Sequence, residues 1–434
     1  QSLLVPFVLL DDLAPEEYAR LIERLPVESP LQVYASSVRF YPFQSAAAHT
    51  LGYVLVDSDP EAEEFPGDDL LTFKMKGSTG SAGLEKQFDH HLQGRAGGAI
   101  YRVDYSGYKA IGLPIEKRLP VQGSDLRTSL DIELQVAAEE AMEGRIGSAV
   151  ALDVATGEVL VMASKPDFDP LTREPHVPRD LSPEAFDKTG VWLNRSTQGR
   201  YPPGSTFKII TAIAGLRSGT IDRDTTISTC TGGMLVGNRR FPCWNHAGHG
   251  ERDVTGAIRD SCNIFFYQTG LNLGAELIAA EAGRIAFNAP TGIELPAEFR
   301  TPRVASPAWK RANIKDDPRW YPGDTANMSI GQGFTEITPL HAACMIASFA
   351  RGEIATKPTL LHDPAHRRQR TEAIGLEPDD YDAIVKGMAM GYQFGTGKFA
   401  RVEGLTAATK TGTAQKHPIE IAWMVCFAPL ENPQ

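Results

Sequence analysis

The sequence has no apolar run long enough to cross a bilayer. Its longest nearly apolar stretch, Leu3 to Leu10, is interrupted by Pro6 and falls far short of the roughly 18 residues required. No charged opening precedes an apolar segment, so a signal or anchor, if one exists, is expected to have been removed or to lie outside this sequence. Basic charge is not in excess. With 43 Lys and Arg against 54 Asp and Glu the net charge is −11, which argues against a nucleic-acid binder. Cysteine is scarce: Cys230, Cys243, Cys262, Cys344 and Cys426 are too few for a disulfide framework. Repeats and low-complexity tracts are absent, and 42% hydrophobic with 22% charged residues excludes wholesale disorder. At 434 residues the chain exceeds one core, so two or three domains are expected.

The first 125 residues read as short, irregular elements. Tyr18, Leu21, Ile22 and Leu25 give 15–25 a helical pattern, while 72–75 and 101–105 read as strands. The glycine-rich stretch 77–83 reads as a linker, since it lacks the strand-then-helix context of a phosphate cradle. A β-rich accessory domain over 1–125 fits best. From Leu126 the texture changes. Residues 128–142 form a helical pattern with Asp131 and Glu133 in its opening turn, and 148–163 read as two apolar strands around Thr156-Gly157. Helical segments follow at 207–216, 255–273, 339–349 and 378–392, and 405–415 returns to β. Sheet on either side of helices makes 126–434 an α+β domain.

Three fragments could carry chemistry. A Pro-Pro-Gly turn at 202–204 opens an apolar helix with Ser205 in its first turn and Lys208 three residues on, on the same face. Helix-start amides and the positive dipole end favour a developing anion, and a desolvated lysine can take the hydroxyl proton. The alternative is a capping serine beside a solvated lysine. Ser261 and Asn263 stand two apart before an aromatic run, or else end one helix and cap the next. Lys410, Thr411, Gly412 and Thr413 lie in a predicted strand, and such an edge suits a peptide ending in carboxylate. A second Lys-Thr-Gly at 188–190 lacks β-type flanks. Phe394 to Lys398 suggests a phosphate loop, hence a nucleotide-dependent enzyme, but Tyr392 and Phe399 stand where glycine and a hydroxyl residue are required.

The order Ser205-x-x-Lys208, Ser261-x-Asn263, Lys410-Thr411-Gly412 resembles the three motifs of penicillin-recognising serine acyltransferases. The 149 positions between Ser261 and Lys410 suit transpeptidases better than compact β-lactamases. Arg39 to Pro42, Ala47 to Tyr53, Gly83-Leu-Glu85 with Leu92 and Gly94, Leu130 to Gln135 and Gly331 to Leu340 are similar to class B penicillin-binding proteins. Phe241 to Gly250, followed by Ser261-Cys262-Asn263, resembles the elongation type, penicillin-binding protein 2. The resemblance implies the penicillin-recognising serine transpeptidase fold, an antiparallel sheet flanked by helices with an all-helical subdomain. An elongated β-rich pedestal would precede it. It also implies a membrane helix before this sequence and further strands and a closing helix after Pro429.

By the same resemblance, Ser205 would attack the penultimate D-Ala carbonyl of a stem peptide while Lys208 takes its proton. Ser261 would pass a proton to the leaving amine and Asn263 would hold the peptide amide. Lys410, Thr411 and Thr413 would bind the terminal carboxylate along the side-chain-free Gly412, and the amides of Ser205 and Thr413 would form the oxyanion hole. A second stem-peptide amine would complete the cross-link, and β-lactams would stall on the same serine. The rival function is a β-lactam-sensing receptor that acylates without cross-linking. The resemblance further implies anchorage in the cytoplasmic membrane with the bulk in the periplasm, beside a SEDS-family glycan polymerase.

Cys230, Cys243, His249 and Cys262 lie between the first two motifs and could close a tetrahedral zinc site, with His246 as a competing ligand. Their spacing is not a standard finger pattern. A Cys230 to Cys243 disulfide and three buried thiols are the other readings. Penicillin-binding protein 2 relatives are known for a structural zinc here with a mixed Asp, His and Cys set, and cysteines stand where the aspartates are expected. Such a metal would brace the loop that holds Ser261; no cofactor is expected in catalysis.

Overall fold

The computed structural model describes residues 9–10, 13–26, 29, 31, 33, 39–57, 77–95, 97–105, 114–176, 190–299, 304–363, 371–416 and 419–434. The chain divides into two units, Gln1–Leu126 with Asp169–Glu174, and Arg127–Phe168 with Pro175–Gln434. Among the described residues no helix is long and apolar enough to cross a membrane.

In the first unit, helices α1 (Pro15–Arg24) and α2 (Ala48–Leu51) precede strands β1 (Val54–Asp57) and β2 (Gly77–Gly80). Helices α3 (Gly83–Gln87) and α4 (Asp89–Leu92) and strands β3 (Gly98–Ile100) and β4 (Glu116–Arg118) follow. β1 pairs antiparallel with β2, and β3 with β4. Short helices thus accompany four short strands, none of them at the positions the sequence predicts. The stretch 77–83 is not a linker: it forms β2 and the start of α3. Its glycines serve close packing, since a Cβ on Gly80 would fall 2.0 Å from the Glu85 carbonyl oxygen, and one on Gly83 2.5 Å from that of Thr50. Residues 101–105 do not form a strand, and 72–75 lie outside the described residues.

The second unit opens with α5 (Ile132–Ala141), capped by Asp131, whose carboxylate accepts from the Glu133 and Leu134 amides at 3.0 and 3.1 Å. The hairpin of β5 (Gly147–Leu152) and β6 (Val159–Lys165) follows. A 3-10 turn (Gly204–Phe207) leads into α6 (Lys208–Arg217). Next come a hairpin of β7 (Gly233–Val236) and β8 (Arg239–Pro242), then helices α7 (Val254–Arg259), α8 (Asn263–Leu273), α9 (Ala275–Arg284), α10 (Pro307–Asn313), α11 (Pro322–Ser329), α12 (Pro339–Ala350) and α13 (Pro378–Gln393). The last hairpin pairs β9 (Ala408–Lys416) with β10 (Ile419–Phe427), Lys410 opposite Val425 and Gly412 opposite Trp423. Helix α12 packs on both β5 and β10.

Helix α6 is buried from Lys208 to Leu216, which explains why it is apolar on every face except at Lys208 and Thr211. Phe207, Ile209, Ile210 and Ile213 pack in one core with Phe265 and Phe266 of α8. Each of these side chains contributes about 2 kcal/mol by leaving water. The segment 255–273 is not one helix. It breaks between α7 and α8 because Ser261 enters the left-handed region at φ 52°.

Candidate active site

The turn carrying Ser205 is fixed from two sides. Gly204, at φ 55°, donates its amide to the Gly331 carbonyl at 2.9 Å, and a Cβ on it would come 2.9 Å from the Thr413 carbonyl oxygen. Gly331 is equally constrained, because its Cβ would lie 2.3 Å from the Gly204 oxygen and 2.7 Å from Phe207 Cβ. Ser205 is left half-buried. Strand β9 lies against this turn because Gly412 has no side chain: a Cβ there would meet the Ser205 and Thr206 amide nitrogens at 3.1 and 3.2 Å.

All three sequence motifs meet at the hydroxyl of Ser261. Lys208 Nζ donates to the Ser261 carbonyl at 2.8 Å, to Ser261 Oγ at 3.1 Å and to Asn263 Oδ1 at 2.7 Å. Lys410 Nζ donates to the same Ser261 Oγ at 2.9 Å and to the Thr411 carbonyl at 2.8 Å. The left-handed backbone of Ser261 costs about 1 kcal/mol or more. Trp244 helps to hold it, its indole N–H lying 3.0 Å from the Asp260 carbonyl and 3.2 Å from that of Ser261. The Asp260 carboxylate is clamped by Arg252 and Arg259, each at 2.7 Å. Among the described residues no hydrogen bond joins Ser205 Oγ to either lysine.

Burial governs the charge here. Lys208 and Lys410 are 0% and 2% exposed. Complete burial lowers the Lys208 pKa to about 7, against the opposing pull of the Cys262 and Cys243 sulfurs. Lys410 is held well below the ordinary lysine range by burial and then by the charge of Lys208. Along the rim, Thr411 Oγ1 donates to Thr396 Oγ1 at 2.6 Å, and Gln332 Nε2 donates to the exposed Thr413 carbonyl at 3.4 Å.

The cysteine cluster adjoins this corner. The Cys230 amide donates to the Gly250 carbonyl at 2.9 Å and the His249 amide to Cys230 at 3.1 Å, closing the loop that includes β7 and β8. The sulfurs of Cys230, Cys243 and Cys262 and one His249 ring nitrogen lie within 4.8 Å of one another; His246 contributes nothing to the group. His249 Nδ1 is 3.6 Å from Cys230 Sγ and 3.5 Å from Cys243 Sγ. A tetrahedral zinc with ordinary bond lengths requires about 3.6 Å between a sulfur and a nitrogen ligand, so the donor set fits the metal. The neighbouring Cys262 thiol lowers the Cys243 pKa to about 4, while the same contact and burial push Cys262 up. All five cysteines are free thiols.

Sequence reasoning assigned no role to Trp244, or to the Gly331 to Gly333 loop beneath the Ser205 turn, although both lie in stretches that carry the family resemblance. Two glycines flanking Gln332, at φ 69° and 81°, were the available signal for the loop. Only tertiary structure could connect Trp244 to the Ser261 carbonyl.

Hydroxyls, buried lysines and a glycine-bearing strand in this arrangement are the groups that acyl transfer through a serine requires. Residues 147–434 match the penicillin binding protein transpeptidase domain, and residues 1–128 the penicillin-binding protein dimerisation domain. The chain therefore belongs to the penicillin-binding protein transpeptidase family. It is 30% identical over 427 residues to the peptidoglycan D,D-transpeptidase MrdA of Escherichia coli (strain K12), covering 91% of this chain. It is 31% identical over 434 residues to the Acinetobacter baumannii protein of that name, covering 93% of this chain. The chain spans 66% and 63% of the lengths of these two relatives. Among solved structures, it resembles Pseudomonas aeruginosa PBP2 in complex with WCK 5153, with a TM-score of 0.74 and 29% identity over 93% of this chain and 86% of that one. The complex of Helicobacter pylori PBP2 with MreC also gives a TM-score of 0.74 at 29% identity, over 91% and 73% of the two chains.

Proposed function

We propose that this chain is the bulk of a peptidoglycan D,D-transpeptidase of the elongation type, acting on stem peptides through an acyl-enzyme at Ser205. The observation that carries this reading is the convergence of Lys208 and Lys410 on the Ser261 hydroxyl, beside the Ser205 turn and the edge of β9 that pairs with no other strand among the described residues.

An ammonium group has three donors, and Lys208 uses three, on the Ser261 carbonyl, Ser261 Oγ and Asn263 Oδ1. Losing a proton frees a lone pair, and its depressed pKa makes this cheap near neutrality. Neutral Lys208 then accepts the Ser205 proton as the oxygen attacks the penultimate D-Ala carbonyl. Amides of Ser205 and Thr413 hold the oxyanion, a contribution of about 3 kcal/mol per donor. Ser261, bonded to both lysines, passes a proton to the departing D-Ala amine. Asn263 orients the peptide amide, and Lys410 with the Thr411 to Thr413 edge receives the terminal carboxylate. A stem-peptide amine then resolves the ester into a cross-link, and a β-lactam leaves it blocked.

Zinc would be held by Cys230, Cys243, His249 and Cys262 and would supply a structural cross-link there. Cys230, Cys243 and His249 of the hairpin loop would thereby be tied to Cys262, the residue next to Ser261. Membrane anchorage, a periplasmic location and association with a SEDS-family glycan polymerase complete the proposal. The complex of the Helicobacter pylori relative with MreC supports work within a multiprotein assembly.

The test is incubation of the protein with a pentapeptide ending in D-Ala-D-Ala and an amine acceptor. Release of one D-alanine with formation of the cross-linked product is expected. Acylation by penicillin without D-alanine release would favour the sensing receptor instead.

A further inference from the structure

The segment Gly395-Thr396-Gly397-Lys398 takes no part in the mechanism above, and its neighbours exclude the phosphate-binding role its glycines suggest. It leaves the end of α13 and enters a 3-10 turn, Lys398–Ala400. The last turn of α13 fixes it. Gly395 donates its amide to the Met390 and Gly391 carbonyls at 3.1 Å each, and Gly397 to Gly391 at 3.0 Å. Neither glycine could carry a side chain, because a Cβ on Gly395 would lie 2.6 Å from the Arg259 oxygen and one on Gly397 2.3 Å from Thr409 Cγ2. The loop is therefore pressed flat against α7 and β9, with Thr396 facing the strand between its two glycines.

At that point Thr411 Oγ1 donates to Thr396 Oγ1 at 2.6 Å. The bond commits the Thr411 proton, whereas Thr396, having accepted, keeps its own proton for another acceptor. Among the described residues no hydrogen bond takes up that proton. Both threonines are half-buried, and Lys410, which precedes Thr411, places its Nζ 2.8 Å from the Thr411 carbonyl. We propose that Thr396 is a carboxylate-binding residue of this site: its hydroxyl, aligned by the bond from Thr411, donates to the terminal carboxylate of the acyl donor. Thr411 then acts mainly by orienting Thr396. The inference rests on the transpeptidase reading and deepens it, because selectivity for a free carboxylate comes partly from a loop outside the three motifs.

Acylation by benzylpenicillin and by its methyl ester, which lacks the carboxylate charge, is compared by intact mass for the wild type, Thr396→Val and Thr396→Ser. Charge-assisted hydrogen bonds are about twice as strong as neutral ones. Thr396→Val should therefore lose about ten- to hundredfold in acylation rate with benzylpenicillin and much less with the ester, narrowing the preference about tenfold. Thr396→Ser should restore it. An equal loss with both compounds, or no loss, would overturn the role of Thr396 while leaving the transpeptidase reading intact. A wild-type protein that neither compound acylates would remove both. Matching melting temperatures for the two variants exclude misfolding as the cause.

Discussion

The depressed pKa of Lys208 makes the pH dependence of acylation a quantitative consequence of burial. A lysine at 0% exposure with a pKa of about 7 is neutral in roughly one molecule in eleven at pH 6 and in ten of eleven at pH 8. If the neutral amine is the base, the acylation rate should rise about tenfold between these values and then level off. Fluorescent-penicillin labelling, timed at constant ionic strength from pH 5.5 to 9, reads this directly. Lys208→Arg, which stays charged throughout, should lose both the activity and the rise. Stability carries the same signature. The folded pKa lies below the unfolded value of 10.5, so between about 7 and 10.5 the unfolded chain holds a proton the folded one has released. This site's contribution to stability therefore increases with pH across that window, by at most about 1.4 kcal/mol per pH unit. A wild-type rate unchanged between pH 6 and 8 would refute the assignment of Lys208 as a base poised near neutrality.

Other consequences follow from the same geometry. Gly331→Ala combines a φ of 69° with a Cβ 2.3 Å from the Gly204 oxygen, and should cost about 2–4 kcal/mol in denaturant unfolding. Gly333→Ala, with φ 81° but only Asn327 Cβ nearby at 3.6 Å, should cost about 1 kcal/mol, so equal losses would contradict the packing argument. Purified protein should contain one zinc per chain by metal analysis, and chelation or Cys243→Ser should lower Tm by about 5 °C or more. Metal-free protein of unchanged stability would remove the metal from the account. Trp244→Phe preserves a ring beside His249 but loses the donor to the Asp260 and Ser261 carbonyls. It should slow acylation with a stability loss of about 1 kcal/mol, measured by labelling and by denaturant unfolding.

Local patterns made much of the fold legible. The helical pattern over 128–142 contains α5, which starts later, after Asp131; the apolar runs on either side of Thr156-Gly157 announced the β5–β6 hairpin, and the apolar run after Phe207 announced a buried helix. The pairs within each motif were legible because three residues along a helix, or neighbours on a strand, have fixed relative positions. What spacing could not supply was the meeting of Lys208 and Lys410 at one hydroxyl, which depends on α6, α8 and β9 packing together; the family resemblance implied one site for the three motifs but put neither lysine on Ser261. The break at Ser261 was legible only as an alternative, in which Ser261 and Asn263 end one helix and cap the next. Its left-handed backbone is held by Trp244 and Lys208 rather than by a local glycine, so nothing but a polar Asp-Ser-Cys-Asn run marked it. At 77–83 the error went the other way: glycine was read as freedom, whereas β2 and α3 need it for close approach.

The central claim is that Ser205 is the nucleophile. Incubating the wild type and Ser205→Ala with fluorescent penicillin, followed by denaturing electrophoresis and mass mapping, tests it most directly. One label per chain on the peptide containing Ser205, and none in the variant, is the predicted result. A label that persists in folded Ser205→Ala would contradict it.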